Sequence, residues 1–200
     1  MGNALAINTE IERRFLVDGR GDKPWRSAVD IRQITQYYLD SSDIEIHESV
    51  INYRSVPLVS ISKEESNILT KTEHWVSRIR IQNDVVILTL KGKQQGIATT
   101  ELEWVLSDAL IVPGLDEHPC VEKTRYCVNA GNELIWEVDE FEGVLAGLIL
   151  AEIELEDINQ KFDFPEWIGI ELTGLKNWSN ASLATTLLNA EELKKTLRQQ

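Results

Sequence analysis

The feature that most constrains this chain is an alternation of period two whose polar face is charged almost wherever it occurs. Thr9–Val17, Gln33–Leu39, Val76–Gln82, Val85–Lys91, Thr99–Leu106, Glu122–Val128, Leu134–Phe141 and Leu150–Glu156 each alternate in this way, bounded by Gly, Asn, Asp or Pro. Successive side chains of a strand point to opposite faces, so the pattern predicts eight strands. Eight strands in a mostly antiparallel order predict an α+β, mainly β fold: an eight-stranded antiparallel closed β-barrel with a few flanking helices.

In an ordinary half-buried strand the charges face water. Here Glu10, Glu12 and Arg14 share one face of the first strand, and Arg78 and Arg80, Thr89 and Lys91, Glu101 and Glu103, Lys123 and Arg125, Glu137 and Asp139, and Glu152, Glu154 and Glu156 share faces of later ones. The opposite faces carry residues such as Phe15, Ile79, Leu88, Trp104, Trp136 and Ile153. In a closed barrel the apolar faces pack outward against helices and the charged faces line a lumen. From periodicity alone, an open sheet with a solvated charged face fits as well. Clustered carboxylates are what hard cations such as Mg²⁺ or Mn²⁺ select, and Arg and Lys suit polyanionic phosphates. Brought into one cavity, the two sets specify a metal-phosphate complex, because an unliganded network of partly desolvated ions rarely offsets the cost of its burial.

Helical patterning is confined to Trp25–Ile31, Asp108–Val112, Ile158–Phe162 and an end segment from Ser179 to about Leu197, with Ser179 or Asn180 as its cap. The stretch Ser41–Trp75 alternates only in part and contains the charged Lys63-Glu64-Glu65, so it is expected to be an inserted hairpin or lid.

A chain of 200 residues, 42% hydrophobic and with five prolines, fits a single domain over residues 1–200. It shows no apolar run of membrane-spanning length and no N-terminal basic segment followed by an apolar block, so a cytoplasmic, membrane-free protein is expected. A net charge of −13 argues against nucleic acid as a partner. Cys120 and Cys127 lack zinc-site spacing, and His47, His74 and His118 lack paired ligand spacing. No Ser/His/Asp or Cys/His nucleophile set and no Gly-rich phosphate loop is visible.

The stretch Thr9-Glu10-Ile11-Glu12-Arg13-Arg14-Phe15-Leu16-Val17 resembles the opening ExExK motif of the CYTH family, the triphosphate tunnel metalloenzymes. Gln36-Tyr37-Tyr38-Leu39, Arg78-Ile79-Arg80, Leu88-Thr89-Leu90-Lys91, Glu101-Leu102-Glu103, Glu122-Lys123-Thr124-Arg125-Tyr126, Glu137-Val138-Asp139-Glu140-Phe141 and Ala151-Glu152-Ile153-Glu154-Leu155 are similar to its later strands, in the family's order. Glu171-Leu172-Thr173 and Asn180-Ala181-Ser182-Leu183-Ala184 are similar to its closing segment, so the resemblance covers nearly the whole chain outside Ser41–Trp75.

The resemblance implies an eight-stranded tunnel and Mg²⁺- or Mn²⁺-dependent hydrolysis of a small-molecule triphosphate, with inorganic tripolyphosphate first. An adenylyl cyclase and a non-catalytic polyphosphate or nucleotide binder stay open as alternatives, as does a homodimer. It further implies Glu10, Glu12, Glu152 and Glu154 as metal carboxylates, with Glu137 and Asp139 near a second metal or its waters. Arg14, Arg78, Arg80, Lys91, Lys123 and Arg125 become the phosphate grip, Lys123 also stabilises charge at the reacting phosphoryl group, and Tyr38 orients an attacking water. Arg14 stands where the family usually has Lys: a guanidinium grips phosphate but is a poor titratable base. Thr99 replaces a frequent Arg, and Leu175, Asn177 and Trp178 replace a common Asp, Arg and Tyr.

Overall fold

A computed structural model of the chain describes residues 6–72, 74–92, 98–107 and 110–197. In chain order the regular elements are β1 (Ala6–Val17), β2 (Asp30–Leu39), β3 (Ile44–His47), β4 (Val50–Tyr53), β5 (Val56–Ser60), α1 (Lys63–Lys71), β6 (Trp75–Gln82), β7 (Val85–Gly92), β8 (Ala98–Val105), β9 (Cys120–Gly131), β10 (Leu134–Phe141), β11 (Ile149–Leu155), β12 (Ile168–Glu171) and α2 (Asn180–Leu197).

The expected eight-stranded closed barrel is corrected. The strands form a nine-stranded antiparallel sheet in the order β11-β10-β9-β2-β6-β7-β8-β1-β12, with an additional β11–β1 pairing, and β3-β4-β5 form a separate three-stranded sheet. The ninth strand follows from the length of β1. Its first half pairs with β8 from Ala6↔Glu103 to Ile11↔Ala98, where that ladder ends. Beyond it, at Phe15↔Glu171 and Val17↔Ile168, β12 takes up backbone groups that an edge would leave bare.

The second sheet arises in the insertion, through tight turns in which both central residues have positive φ: Glu48 and Ser49, then Arg54 and Ser55. Such turns favour Asn, Asp and Gly, as the Asn83-Asp84 turn between β6 and β7 illustrates. The insertion's turns carry none of these residues, so partial alternation pointed to a hairpin or lid there without marking where its turns fall. α1 starts from a capping box, in which Ser62 Oγ accepts from Glu65 N and the Glu65 carboxylate accepts from Ser62 N. Glu65 Oε1 also accepts from Trp104 Nε1 at 2.9 Å, which ties the insertion to β8.

Two expected helices are replaced, and a third lies partly outside the described residues. Trp25–Ile31 gives a 3-10 turn at Pro24–Ser27 and then β2, because pairing from Asp30↔Cys127 onward outweighs local propensity. Ile158–Phe162 begins with a turn closed by Asp157, which accepts from Asn159 N at 2.8 Å through Oδ1 and from Gln160 N at 2.9 Å through its carbonyl. Asp108 and Ala109 lie outside the described residues, and Leu110–Val112 are not helical.

Three apolar clusters lie around the main sheet. The insertion packs on β6, β7 and β8 through Ile51, Tyr53, Ile79, Leu88 and Trp104. Trp25, Phe162 and Trp167 pack on β1, β10 and β11 around Phe15, Trp136 and Ile153. Ala181, Leu183 and Ala184 of α2 meet Leu16, Tyr38, Val121, Phe141 and Leu150, which all sit at one end of their antiparallel strands. α2 therefore lies over that end of the sheet's charged face. No helix among the described residues is long and apolar enough to cross a membrane.

Candidate functional site

The strand faces expected to be charged converge on a cavity of about 290 Å³ lined by Glu12, Arg14, Arg32, Gln36, Arg78, Arg80, Lys91, Glu101, Glu103, Arg125, Glu137, Glu152, Glu154 and Asn180. Its charge is divided by topology. The adjacent strands β9, β2, β6 and β7 supply Arg125, Arg32, Arg78, Arg80 and Lys91, whereas β8, β1, β11 and β10 supply the glutamates. Arg14 on β1 is the exception, a cation within the acidic half.

Register sharpens the division. Glu12 is opposite Glu154, Glu137 is opposite Glu152, and Arg32 is opposite Arg125. Like charges directly opposite in a sheet are destabilising unless something between them compensates. Within the protein that role falls to cations reaching across. Arg14 Nε donates to Glu152 Oε1 at 2.6 Å and Arg14 Nη2 to Glu12 Oε1 at 2.8 Å. Arg125 binds Asp139 with two nitrogens at 2.6 and 2.7 Å, Glu152 at 3.1 Å, and Glu137. Arg80 Nη2 donates to Glu103 at 2.7 and 2.9 Å, and Lys91 Nζ lies 3.5 Å from Glu101 and 3.7 Å from Glu12.

These contacts set the ionisation of the site. Burial pushes the Glu152 carboxyl up, but Arg14, Arg125 and Lys123 outweigh it and hold it well below the usual carboxylate range. The Arg80 pKa is lowered chiefly by burial, with neighbouring Arg78 and Arg125 adding to the effect against Glu103 and Glu101. Arg80 Nε has no hydrogen-bond partner among the described residues. Burial pushes the Tyr38 hydroxyl up to about 12, so it stays protonated; it donates to Gln36 Oε1 at 3.1 Å.

Of the residues singled out from sequence, Glu12, Arg14, Arg78, Arg80, Lys91, Glu101, Glu103, Arg125, Glu137, Glu152 and Glu154 border this cavity. Tyr38 borders an adjoining chamber of about 340 Å³, which shares Glu12, Arg14, Arg78, Lys91 and Asn180 with it. Lys123 and Asp139 border neither. Each is 1% exposed, and they pair with one another behind Arg125, with Lys123 Nζ 5.7 Å from the Phe141 ring centre. The side chain of Glu10 lies outside the described residues. Arg32, Gln36 and Asn180 were missed. Arg32 and Gln36 lie at even positions of β2, in step with Tyr38, and that periodicity would have found them. Asn180 belongs to a helix, and nothing in its local sequence points it into a cavity.

The donor set fits a hard divalent cation, because every anionic group is a carboxylate and Glu12 and Glu154 face one another. Among the described residues no three carboxylates are yet gathered to hold an ion. Arg14 lies between Glu12 and Glu152, and Arg125 lies beside Glu137 and Glu152.

The CYTH domain family model matches residues 8–186. The chain is 42% identical over 109 residues to an inorganic triphosphatase of Acetivibrio thermocellus, covering 53% of this chain and 69% of the relative. It is 30% identical over 151 residues to an inorganic triphosphatase of Nitrosomonas europaea, covering 73% of this chain and 99% of the relative. A crystal structure of an inorganic triphosphatase is similar with a TM-score of 0.51 and 26% identity, covering 90% of this chain and 96% of that one. With the family model spanning the charged strands and the start of α2 alike, this chain belongs to the CYTH domain family.

Proposed function

We propose that this chain is a metal-dependent hydrolase of a triphosphate, cleaving inorganic tripolyphosphate to pyrophosphate and phosphate. The observation that carries the reading is the division of one cavity into a cationic half on β9, β2, β6 and β7 and an acidic half on β8, β1, β11 and β10. Such a cavity takes a polyanion together with a cation. The similarity to inorganic triphosphatases names the polyanion.

In this reading Arg78, Arg80, Lys91 and Arg125 grip phosphoryl oxygens, and Arg80 Nε is a donor without a partner among the described residues. Lys123 and Asp139 position the Arg125 guanidinium from behind. Glu12, Glu152 and Glu154, with Glu10 from the same face of β1, hold a Mg²⁺ or Mn²⁺ ion. That ion supplies charge neutralisation and Lewis acidity when bound. Phosphoryl transfer needs in-line geometry and compensation of charge on the peripheral oxygens more than a covalent nucleophile, and fixed guanidinium groups provide both. Tyr38, protonated at neutral pH, orients water by hydrogen bonding, and a carboxylate of the acidic half takes the proton.

A second reading, a non-catalytic triphosphate binder, is favoured by Arg14, which already occupies Glu12 and Glu152. Phosphate release from tripolyphosphate, ATP and thiamine triphosphate with Mg²⁺, Mn²⁺ or EDTA separates the two, alongside a Glu10→Gln/Glu12→Gln control. Metal-dependent release, fastest on tripolyphosphate and lost in the control, is the expected result. Tight binding without release overturns the hydrolase and leaves the binder.

A further inference from the structure

We infer that Arg32 is a substrate-binding residue: its guanidinium holds the phosphoryl group at the end of the triphosphate remote from α2. The inference rests on the reading of the cavity as a triphosphate site. It adds a cation that lies outside the stretches similar to the family, which on β2 begin at Gln36.

Arg32 borders the charged cavity but not the adjoining chamber, whereas Arg14, Arg78 and Lys91 border both. On β2 it stands six residues before Tyr38, which lines that chamber, so about 20 Å of strand separate the two. Toward the strand ends beyond it, the faces that carry Lys91, Glu103 and Glu137 finish in Val85, Val105 and Ile135, all exposed. With Arg125 directly opposite, Arg32 is therefore the last cation at that end of the cavity among the described residues, and a polyanion's charge has to stop there.

The two facing guanidinium groups differ in what they have left to donate. Their like-charge pairing costs stability unless anions lie beside it. All three nitrogens of Arg125 are committed, Nε and Nη2 to Asp139, Nη2 also to Glu152, and Nη1 to Glu137. Arg32 is held along one edge alone, with Nε donating to Asp30 Oδ1 at 3.1 Å and Nη2 to Asp30 Oδ2 at 2.6 Å. Its Nη1 makes no hydrogen bond among the described residues, and its side chain is 32% exposed, so that donor is open to a ligand. A guanidinium fixed by one edge presents the other in a set plane, which suits a phosphoryl group.

The test is calorimetric titration of tripolyphosphate, with Mg²⁺ present, into the wild-type chain and into Arg32→Gln, Asp30→Asn and Arg20→Gln. Arg32→Gln is expected to bind at least about tenfold more weakly, through loss of a charge-assisted hydrogen bond. Asp30→Asn removes the carboxylate that competes for Arg32, and it is expected to bind as tightly as wild type or more tightly. Arg20 is 90% exposed and borders neither cavity, so Arg20→Gln makes the same change of net charge and is expected to leave affinity unaltered. Were the Arg32–Asp30 pair only structural, both of its variants would lower Tm alike and leave affinity alone. Affinity unchanged in Arg32→Gln, or lowered equally in Asp30→Asn or in Arg20→Gln, overturns the inference and leaves the triphosphate site standing. A wild-type chain that does not bind tripolyphosphate overturns both.

Discussion

Arg14 Nε lies 2.6 Å from Glu152 Oε1, and the two residues are direct cross-strand partners of β1 and β11. The same guanidinium reaches Glu12 at 2.8 Å, so one side chain neutralises two carboxylates assigned here to a divalent cation. Lysine presents a compact point charge without the guanidinium's planar fork and holds two carboxylates less rigidly. Arg14→Lys is therefore expected to raise Mn²⁺ affinity about tenfold, by removing an internal competitor worth roughly one charge-assisted hydrogen bond. It is also expected to lower stability by about 1–3 kcal/mol. Mn²⁺ titration followed by electron paramagnetic resonance, with thermal unfolding alongside, checks both; unchanged Mn²⁺ affinity would show that Arg14 does not compete.

Tyr38 has its hydroxyl pushed up to about 12. If it orients water, Tyr38→Phe should lower kcat about tenfold or more while changing KM little. Because the group stays protonated, the wild-type pH–rate profile should show no limb from it between about pH 8 and 10. A loss expressed in KM alone would move Tyr38 from the chemistry to binding.

Glu65 is 4% exposed, and its carboxylate serves both the α1 capping box and the Trp104 indole N–H. Glu65→Ala removes the box and leaves a buried donor unsatisfied, at a cost of about 2–4 kcal/mol. Trp104 is 0% exposed within the cluster that joins the insertion to β6, β7 and β8. Chemical denaturation followed by tryptophan fluorescence should register the loss. Wild-type stability in this variant would mean that the insertion is held by its apolar contacts alone.

The acid limb of stability should trace to carboxylates that cations hold low, Glu103, Glu140 and Glu171 among them beside Glu152. At Glu103 burial raises the pKa, but Arg80 and Arg78 outweigh it and the net shift is downward. Glu140 is lowered chiefly by its bond to Arg26, and Glu171 by its bond to Arg13. A folded-state pKa below the ordinary 4.5 stabilises fully above that value, and the contribution is lost as pH falls through the folded pKa. Tm should therefore fall steadily from about pH 5 downward. Glu103→Gln should cost about 1–3 kcal/mol at pH 7, with the difference closing toward pH 3. Calorimetry of both proteins across that range is the check, and a gap independent of pH would remove ionisation as its cause.

The eight strands expected from alternation all formed, each with ends within a few residues of the expected ones, because a period of two with one apolar face has a single way to bury that face. The same pattern announced which side chains would share a surface, and eleven of the residues it singled out border one cavity. It could not tell what strand order does to those faces. That cations occupy one run of neighbouring strands and carboxylates the other is a property of pairing between segments as distant as β2 and β9, or β1 and β11, which no local period encodes. Nor could it foresee β12, whose four residues form a strand only because β1 outlasts its ladder with β8, or that the insertion expected as a hairpin or lid forms a three-stranded sheet and α1, with turns that use Glu-Ser and Arg-Ser at positive φ. Lys123 shows the limit at a single residue. The family resemblance put it with the phosphate grip, yet packing against Phe141 and pairing with Asp139 hold it behind Arg125. Periodicity fixes the face a side chain takes; how deep it sits, and which charge it meets there, depends on what the rest of the chain packs around it.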